Sequence, residues 1–156
     1  MNQMNTPSSL FNELIQDLGN QARILKEPED QYITSRFESS FHFDSWGKIQ
    51  WNNTRFKIRL QSKDEVVPKL KKFLELGDDK IFILWDDFDL PIVETSLEKS
   101  IEFMDSVTSV SYDTFLFSPK YGFVIVFYHT GGIWIAINNP LLDGIWPNQP
   151  KFTQNP

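Results

Sequence analysis

YGFVIVFYHTGGIWIAI, residues 121–137, decides the fold because two apolar runs flank one short turn. Tyr121–Tyr128 and Ile133–Ile137 are apolar at nearly every position, and His129-Thr-Gly-Gly132 between them has the small residues of a turn. A strand that is apolar at both its odd and its even positions is expected to be covered on both faces. The stretch therefore predicts two inner strands of a sheet, with helices on at least one face.

Further strands are predicted upstream of this stretch. Lys80–Trp85 (KIFILW) is a short apolar run typical of a buried strand, and residues 109–117 predict another. Asn52-Asn53 tolerates the positive φ angles of a tight turn, so it predicts a hairpin between Trp46–Trp51 and Thr54–Leu60. In that hairpin Ile49, Trp51, Phe56 and Ile58 face inward, whereas the basic side chains face solvent: Lys48, Arg55, Lys57 and Arg59.

Three helices are predicted from their start and stop signals. The first begins at Pro7 and ends before Gly19. Ser62-x-x-Glu65 is a capping box for a helix that ends at Gly77, and Pro68 implies either a start near Val67 or an irregular first turn. Thr95-x-x-Glu98 is a second capping box, for a helix with one apolar stripe: Leu97, Ile101, Met104 and Val107.

The remaining segments complete the predicted organisation. Residues 20–45 mix acidic and aromatic residues and are compatible with one strand, and the proline-rich tail from Asn138 predicts irregular structure. The fold class is therefore α+β: one domain over residues 1–156, with an antiparallel or mixed sheet of five or six strands and helices packed on it. Residues 1–8 and 138–156 are expected to be irregular or partly disordered.

Composition excludes several kinds of site and suggests a compartment. The chain has no cysteine, so disulfides, thiolate zinc sites and cysteine nucleophiles are excluded. Its N-terminus is polar from Met1 to Ser9, and its first basic residue is Arg23, so the order of a signal peptide is missing. Its longest apolar run is Phe123–Tyr128, far short of the ~20 residues of a membrane helix. We therefore expect a cytoplasmic protein with no membrane partner.

Charge is segregated along the chain. The net charge is −6, but residues 46–74 carry eight basic and two acidic residues, whereas residues 75–105 carry two basic and ten acidic residues. Such segregation can create surface fields that steer a charged partner, although solvated helix faces give the same pattern. The basic face of the predicted hairpin could touch phosphates, but a pI near 4.9 argues against a direct nucleic-acid partner.

The strongest candidate site is the acidic loop Asp86-Asp87-Phe88-Asp89, directly after the Lys80–Trp85 strand, with Glu94 nearby. Carboxylates in this position suit Mg²⁺ or Ca²⁺, so a small metal-dependent hydrolase or nuclease is one hypothesis. The sequence supplies no further ligands and no general base. His129 at its turn is interpreted as a surface residue. We therefore predict no catalytic residue, no metal and no cofactor, and a protein-contact role for the loop.

The run KIFILWDDFDLPIVETSLEKSIEFMDSVTSVSYDTFLFSPKYGFVIVFYHTGGIWIA resembles the second half of immunity proteins of bacterial contact-dependent growth inhibition and related polymorphic-toxin systems. The shared features are a strand ending in Trp and two acids, Leu-Pro, a short helix, the DTFLFSP strand and a final hairpin with Tyr-His at its turn. The resemblance covers roughly residues 78–137. It implies a non-enzymatic inhibitor that binds the C-terminal domain of one toxin.

Many such toxins are nucleases with basic active sites, so an acidic surface can take the place of the nucleic acid. We therefore predict that this chain occludes a basic toxin active site through the following residues: Asp78, Asp79, Asp86, Asp87, Asp89 and Glu94. A non-inhibitory protein-interaction domain is the other alternative to the hydrolase.

Overall fold

A computed structural model describes residues 7–77, 80–87 and 89–138 as five α-helices and seven strands. In chain order the elements are α1 (Pro7–Leu18), β1 (Arg23–Ile24), α2 (Glu29–Ser40), β2 (Phe56–Leu60), α3 (Val66–Lys71), β3 (Lys80–Trp85), β4 (Val93–Ser96), α4 (Leu97–Glu102), α5 (Met104–Thr108), β5 (Thr114–Ser118), β6 (Phe123–Phe127) and β7 (Ile133–Ile137). Three 3₁₀ turns complete them: Gly19–Gln21, Trp51–Asn53 and Lys63–Glu65.

All strands belong to one antiparallel sheet in the order β1-β4-β3-β5-β6-β7-β2. The predicted α+β class is confirmed, with seven strands instead of five or six, because the two-residue β1 and the short β4 carry no apolar run of their own. Among the described residues no helix is long and apolar enough to cross a membrane. Of the segments predicted to be irregular, 1–8 and 138–156, residues 1–6 and 139–156 lie outside the described part, and Pro7 and Ser8 belong to α1.

The predicted strands around the turn at residues 128–132 are confirmed as β6 and β7, which pair from Phe123↔Ile137 to Phe127↔Ile133. Successive residues of a strand point to opposite faces, so these strands contribute to two separate cores. Ile125 and Ile135 are buried on one face, and Val126 and Trp134 on the other. Both faces of the sheet are therefore covered, which explains the nearly continuous apolar sequence.

The two cores differ in what covers them. The first core lies under α1, α3, α4 and α5, which bury the following residues: Phe11, Leu14, Leu18, Val66, Leu70, Leu97, Met104 and Val107. The second core lies under α2 and the segment 41–51, and it is rich in aromatic rings. Phe37 of α2 lies with its ring centroid 5.3 Å from that of Phe115 and 5.2 Å from that of Phe117. Helices therefore cover both faces of the sheet, which agrees with the prediction of helices on at least one face.

The predicted hairpin of Trp46–Trp51 with Thr54–Leu60 is wrong. β2 pairs with β7, from Phe56↔Ile137 to Leu60↔Ile133, while Ile49 forms an isolated bridge with Phe43. Asn52 and Asn53 lie in a 3₁₀ turn. The alternation of apolar and charged residues along a strand predicts which side chains are buried, but it does not predict which strand pairs with it. For β2, the strand β7 is a longer apolar partner than residues 46–51.

Lys57, predicted to face solvent, is buried. β2 puts Phe56, Ile58 and Leu60 into the first core, so Lys57 points to the opposite face, which the segment 41–51 covers. Its Nζ donates a hydrogen bond to the backbone oxygen of Trp51 at 2.7 Å, and burial lowers the pKa of this amine. Ile49 and Trp51 belong to the second core, so the four apolar residues do not share one face.

The remaining departures concern helix and strand ends. The capping box of Ser62 and Glu65 is confirmed, and it opens a 3₁₀ turn that leads into α3, which ends at Lys71 and not at Gly77. The strand predicted over 109–117 begins at Thr114. Residues 29–40, for which no helix was predicted, form α2.

The second predicted capping box is wrong by one residue. Ser96, not Thr95, caps α4, because the Ser96 hydroxyl accepts a hydrogen bond from the Lys99 backbone N–H at 3.0 Å. Thr95 lies in β4, fully buried, and its Oγ1 has no hydrogen-bond partner. The register of β4 with β3 turns Thr95 toward the interior, which removes it from the helix terminus.

This reassignment predicts opposite effects for two neighbouring substitutions. Ser96→Ala should lower the free energy of unfolding by about 1 kcal/mol because the cap is lost. Thr95→Val should raise it by about 1 kcal/mol because it replaces a buried hydroxyl that has no partner. Urea unfolding of both variants measures the difference. If Thr95→Val is the more destabilised of the two, Thr95 is the cap after all.

Candidate functional site

An acidic cleft of about 510 Å³ lies between α2, the turn at residues 43–47 and the segment that follows β3. Its floor is the edge of the second core, formed by the side chains of Phe37, Phe43, Leu84, Ile92 and Phe115. Four carboxylates line it: Asp30, Glu38, Asp86 and Asp87. None of the described lining residues is basic, so the cleft combines an apolar floor with a uniformly negative rim.

The end of β3 positions Asp86. Its backbone N–H donates to the Asp113 carbonyl oxygen at 3.2 Å. Its Oδ1 accepts hydrogen bonds from Ser111 Oγ at 2.7 Å and from the Asp113 N–H at 3.2 Å. These contacts tie Asp86 to the segment that leads into β5, so its carboxylate is held in place before any partner arrives.

Asp87 organises the loop behind it. Its Oδ1 accepts the Asp89 N–H at 3.0 Å, and its carbonyl oxygen accepts the Leu90 N–H at 3.2 Å. Asp89 is exposed in the same loop but does not line the cleft. Carboxylate oxygens that accept backbone N–H groups in this way stabilise a turn. Within the described residues no group of three or more His, Asp or Glu is arranged to hold a metal ion.

Trp46 stands at the rim of the cleft and is 86% exposed. The turn that carries it is tightly hydrogen-bonded, because Asp44 Oδ1 accepts the N–H groups of Trp46 and Lys48, each at 2.9 Å. The Asp44 N–H donates to the Lys48 carbonyl oxygen at 2.7 Å, and Gly47 has a φ of 80°, which favours glycine. The tryptophan is therefore exposed on an ordered turn.

Glu94, another predicted contact residue, is placed differently from the loop. Glu94 lies on β4 and is engaged within the protein, with Oε2 at 3.1 Å from Arg23 Nη2 and Oε1 at 3.5 Å from Lys80 Nζ. Asp78 and Asp79 lie outside the described residues. The structure thus brings Asp86, Asp87 and Asp89 together at one end of β3, and it directs Glu94 to an ion-pair network at the edge of the sheet.

Sequence reasoning missed Asp30, Glu38 and Trp46 as members of this site. The two acids lie on α2, and the one signal that could have revealed this helix is the four-residue spacing of Ile33, Phe37 and Phe41. The sequence predicts a strand at Trp46, and a strand assignment does not reveal that this residue is exposed on a turn. The cleft forms because α2 packs onto β3 and β5, which are distant from it in sequence. No local sequence pattern could therefore predict it.

A second polar group lies around the turn at residues 128–132. Asp113 is buried, and its Oδ1 lies 3.0 Å from both the backbone N and the Nδ1 of His129. The Tyr112 ring packs edge-on against the His129 ring, with centroids 5.4 Å apart. These contacts fix the turn, and His129 is half exposed, in line with its interpretation as a surface residue.

Comparison with known proteins identifies the family. The family described as "CdiI immunity protein EcoliA0-like" matches residues 8–136, which span the five helices and seven strands except for Pro7 of α1 and Ile137 of β7. No curated protein matches the chain. The match extends well beyond residues 78–137, the region whose sequence resembles immunity proteins, and it supports an immunity function against a toxin of contact-dependent growth inhibition. The chain belongs to the CdiI immunity protein family of the EcoliA0-like type.

Proposed function

We propose that this protein binds the toxic C-terminal domain of a cognate secreted toxin, a nuclease, and neutralises it by covering its basic active site. It acts by binding, without a reaction of its own. The observation that supports this proposal most strongly is the acidic cleft, in which four carboxylates surround an apolar floor and no described lining residue is basic. The residues proposed to make the principal contacts are Asp86 and Asp87, which line the cleft, and Asp89, which is exposed beside it in the same loop.

Electrostatic physics favours this arrangement. A nuclease holds phosphates with lysine and arginine side chains, so its active site attracts a surface of opposite charge. Complementary charge also accelerates diffusional encounter, which matters for an inhibitor that must capture a lethal enzyme before it acts. The apolar floor adds burial of hydrocarbon surface, which carboxylates alone do not provide.

The surroundings of the loop favour protein binding over metal-dependent hydrolysis. Oδ1 of Asp86 and Oδ1 of Asp87 already accept hydrogen bonds from within the chain. A Mg²⁺ or Ca²⁺ ion bound at the remaining carboxylate oxygens would need several further oxygen ligands, and among the described residues no group of three or more His, Asp or Glu is arranged to hold such an ion. A carboxylate that is held by one oxygen can still present its other oxygen to a cationic partner.

Co-expression tests the proposal. The toxin domain is taken from the open reading frame immediately upstream of the gene for this chain, and it is expressed with the wild-type chain in the same cells. The expected result is normal growth and a complex of the two chains that survives affinity purification. A toxin domain from an unrelated system is the specificity control. Growth arrest despite full expression of the wild-type chain, with no complex recovered, would contradict the proposal.

A further inference from the structure

We propose that the acidic cleft binds an arginine-bearing segment of the toxin. In the complex, Trp46 becomes buried beside this segment and acts as an aromatic anchor. This inference rests on the proposed function and specifies the partner of the same surface. The occupant is a basic protein segment whose arginine side chain enters the cleft from the toxin.

The lining of the cleft matches the chemistry of arginine. The three rings of Phe37, Phe43 and Phe115 form much of the floor, and the carboxylates of Asp30, Glu38, Asp86 and Asp87 lie around it. A guanidinium group is planar and weakly hydrated, so it stacks on aromatic rings while it donates paired hydrogen bonds to carboxylates. Its hydrocarbon stem can cover apolar surface at the same time. A lysine ammonium group is more strongly hydrated and lacks the planar fork.

The exposure of Trp46 supports a macromolecular occupant over a small cation. At 86% exposure its indole contributes nothing to either core, yet four hydrogen bonds among residues 44–48 hold the turn beneath it. A tryptophan on an ordered turn loses little conformational entropy when it is buried in an interface, and tryptophan is enriched among the residues that dominate binding energy. Trp46 therefore extends the contact surface beyond the cleft itself.

Tyr112 provides a matched comparison. It is also an exposed aromatic residue, at 72%, but it packs against His129 and lines a different hollow, with Met104 and Thr108. If binding needed only exposed apolar surface, replacing Trp46 and replacing Tyr112 would lower the affinity for the toxin to a similar extent. If Trp46 is a specific anchor at the acidic cleft, only the replacement of Trp46 lowers the affinity strongly.

Binding is measured by titration calorimetry between this chain and the toxin domain encoded immediately upstream. Trp46→Ala is expected to weaken the complex by about 30-fold or more, whereas Tyr112→Ala changes the affinity by less than about 3-fold. Asp30→Asn with Glu38→Gln is expected to weaken it by at least about 10-fold, against little change for Glu13→Gln with Glu75→Gln. Circular dichroism and urea unfolding confirm that every variant is folded.

The occupant is identified by photo-crosslinking, with Trp46 replaced by p-benzoylphenylalanine and the linked toxin peptide sequenced by mass spectrometry. A peptide that contains or adjoins an arginine is expected. A toxin that binds the wild-type chain but is equally insensitive to Trp46→Ala and Tyr112→Ala, or a linked peptide without a basic residue, overturns the inference and leaves the proposed function standing. A wild-type chain that binds no toxin overturns both.

Discussion

Replacing Asp86, Asp87 and Asp89 together by asparagine is expected to weaken toxin binding by at least about 2 kcal/mol, roughly 30-fold. The fold should survive, because asparagine keeps the Oδ1 acceptor for Ser111 Oγ, for the Asp113 N–H and for the Asp89 N–H. The loss arises because a lysine or arginine buried against this loop would lose its partner charge. Affinity and dissociation rate are measured by biolayer interferometry.

The salt dependence of toxin binding distinguishes a specific contact at the loop from a general effect of the net charge of the chain. The triple variant should bind with a weaker dependence on salt concentration, since three charges no longer attract the toxin. The control variant carries Glu13→Gln, Glu75→Gln and Glu98→Gln, which change the net charge by the same amount at exposed positions outside the cleft. Equal effects of the two triple variants, or an unchanged dissociation rate in the first, would show that the loop is not the inhibitory surface.

Replacing Phe117 by alanine is expected to lower the free energy of unfolding by about 3–5 kcal/mol. Phe117 is fully buried at the centre of the second core, with its ring centroid 5.2 Å from that of Phe37 and 6.2 Å from that of Phe41. Removal of the ring leaves a cavity between the sheet and α2 that neighbouring rings fill only in part. Because α2 carries Asp30 and Glu38, the variant should also lose affinity for the toxin.

Phe117→Leu is the matched variant, because it keeps an apolar side chain of similar volume and should cost less than about 1.5 kcal/mol. Urea unfolding monitored by circular dichroism measures both variants. A loss below about 1 kcal/mol for Phe117→Ala would mean that α2 does not pack on the sheet as described, and the acidic cleft would lose its structural basis.

The central strands could be predicted because their information is local. The apolar runs Phe123–Phe127 and Ile133–Ile137 and the turn between them indicated a buried strand pair without reference to any other segment. The same holds for β3 and for the capping box at Ser62. In each case the sequence feature that predicts the element, an apolar run or a capping box, lies within a few residues of the groups that it buries or that form its hydrogen bonds.

The failures concern partners that are distant in sequence. β2 pairs with β7 and not with its neighbour, so Lys57, which alternation assigned to solvent, is covered by residues 41–51. α2 carries few apolar residues and therefore gives a weak helical signal, and its place in the fold depends on Phe37 packing against Phe115 and Phe117. Local patterns do not encode these choices.

The candidate site shows the same division. The position of Asp86 and Asp87 after a buried strand was visible in the sequence, and both line the cleft. Glu94 follows them closely in sequence, but β1 brings Arg23 beside it and makes it part of an ion pair. Asp30 and Glu38 reach the cleft only through the packing of α2. The charge of the segment 75–105 therefore pointed to two of the four carboxylates of the cleft, Asp86 and Asp87, but not to the two on α2.

Titration of the toxin's nuclease activity with this chain tests most directly whether neutralisation occurs through the acidic cleft. The toxin domain encoded upstream is mixed with RNA and DNA substrates and increasing amounts of the wild-type chain or of the Asp86, Asp87 and Asp89 triple asparagine variant. The expected result is complete loss of cleavage at one equivalent of the wild-type chain and a requirement for a large excess of the variant. Cleavage that persists in the saturated wild-type complex, or equal inhibition by the two chains, would contradict occlusion of the active site by this cleft.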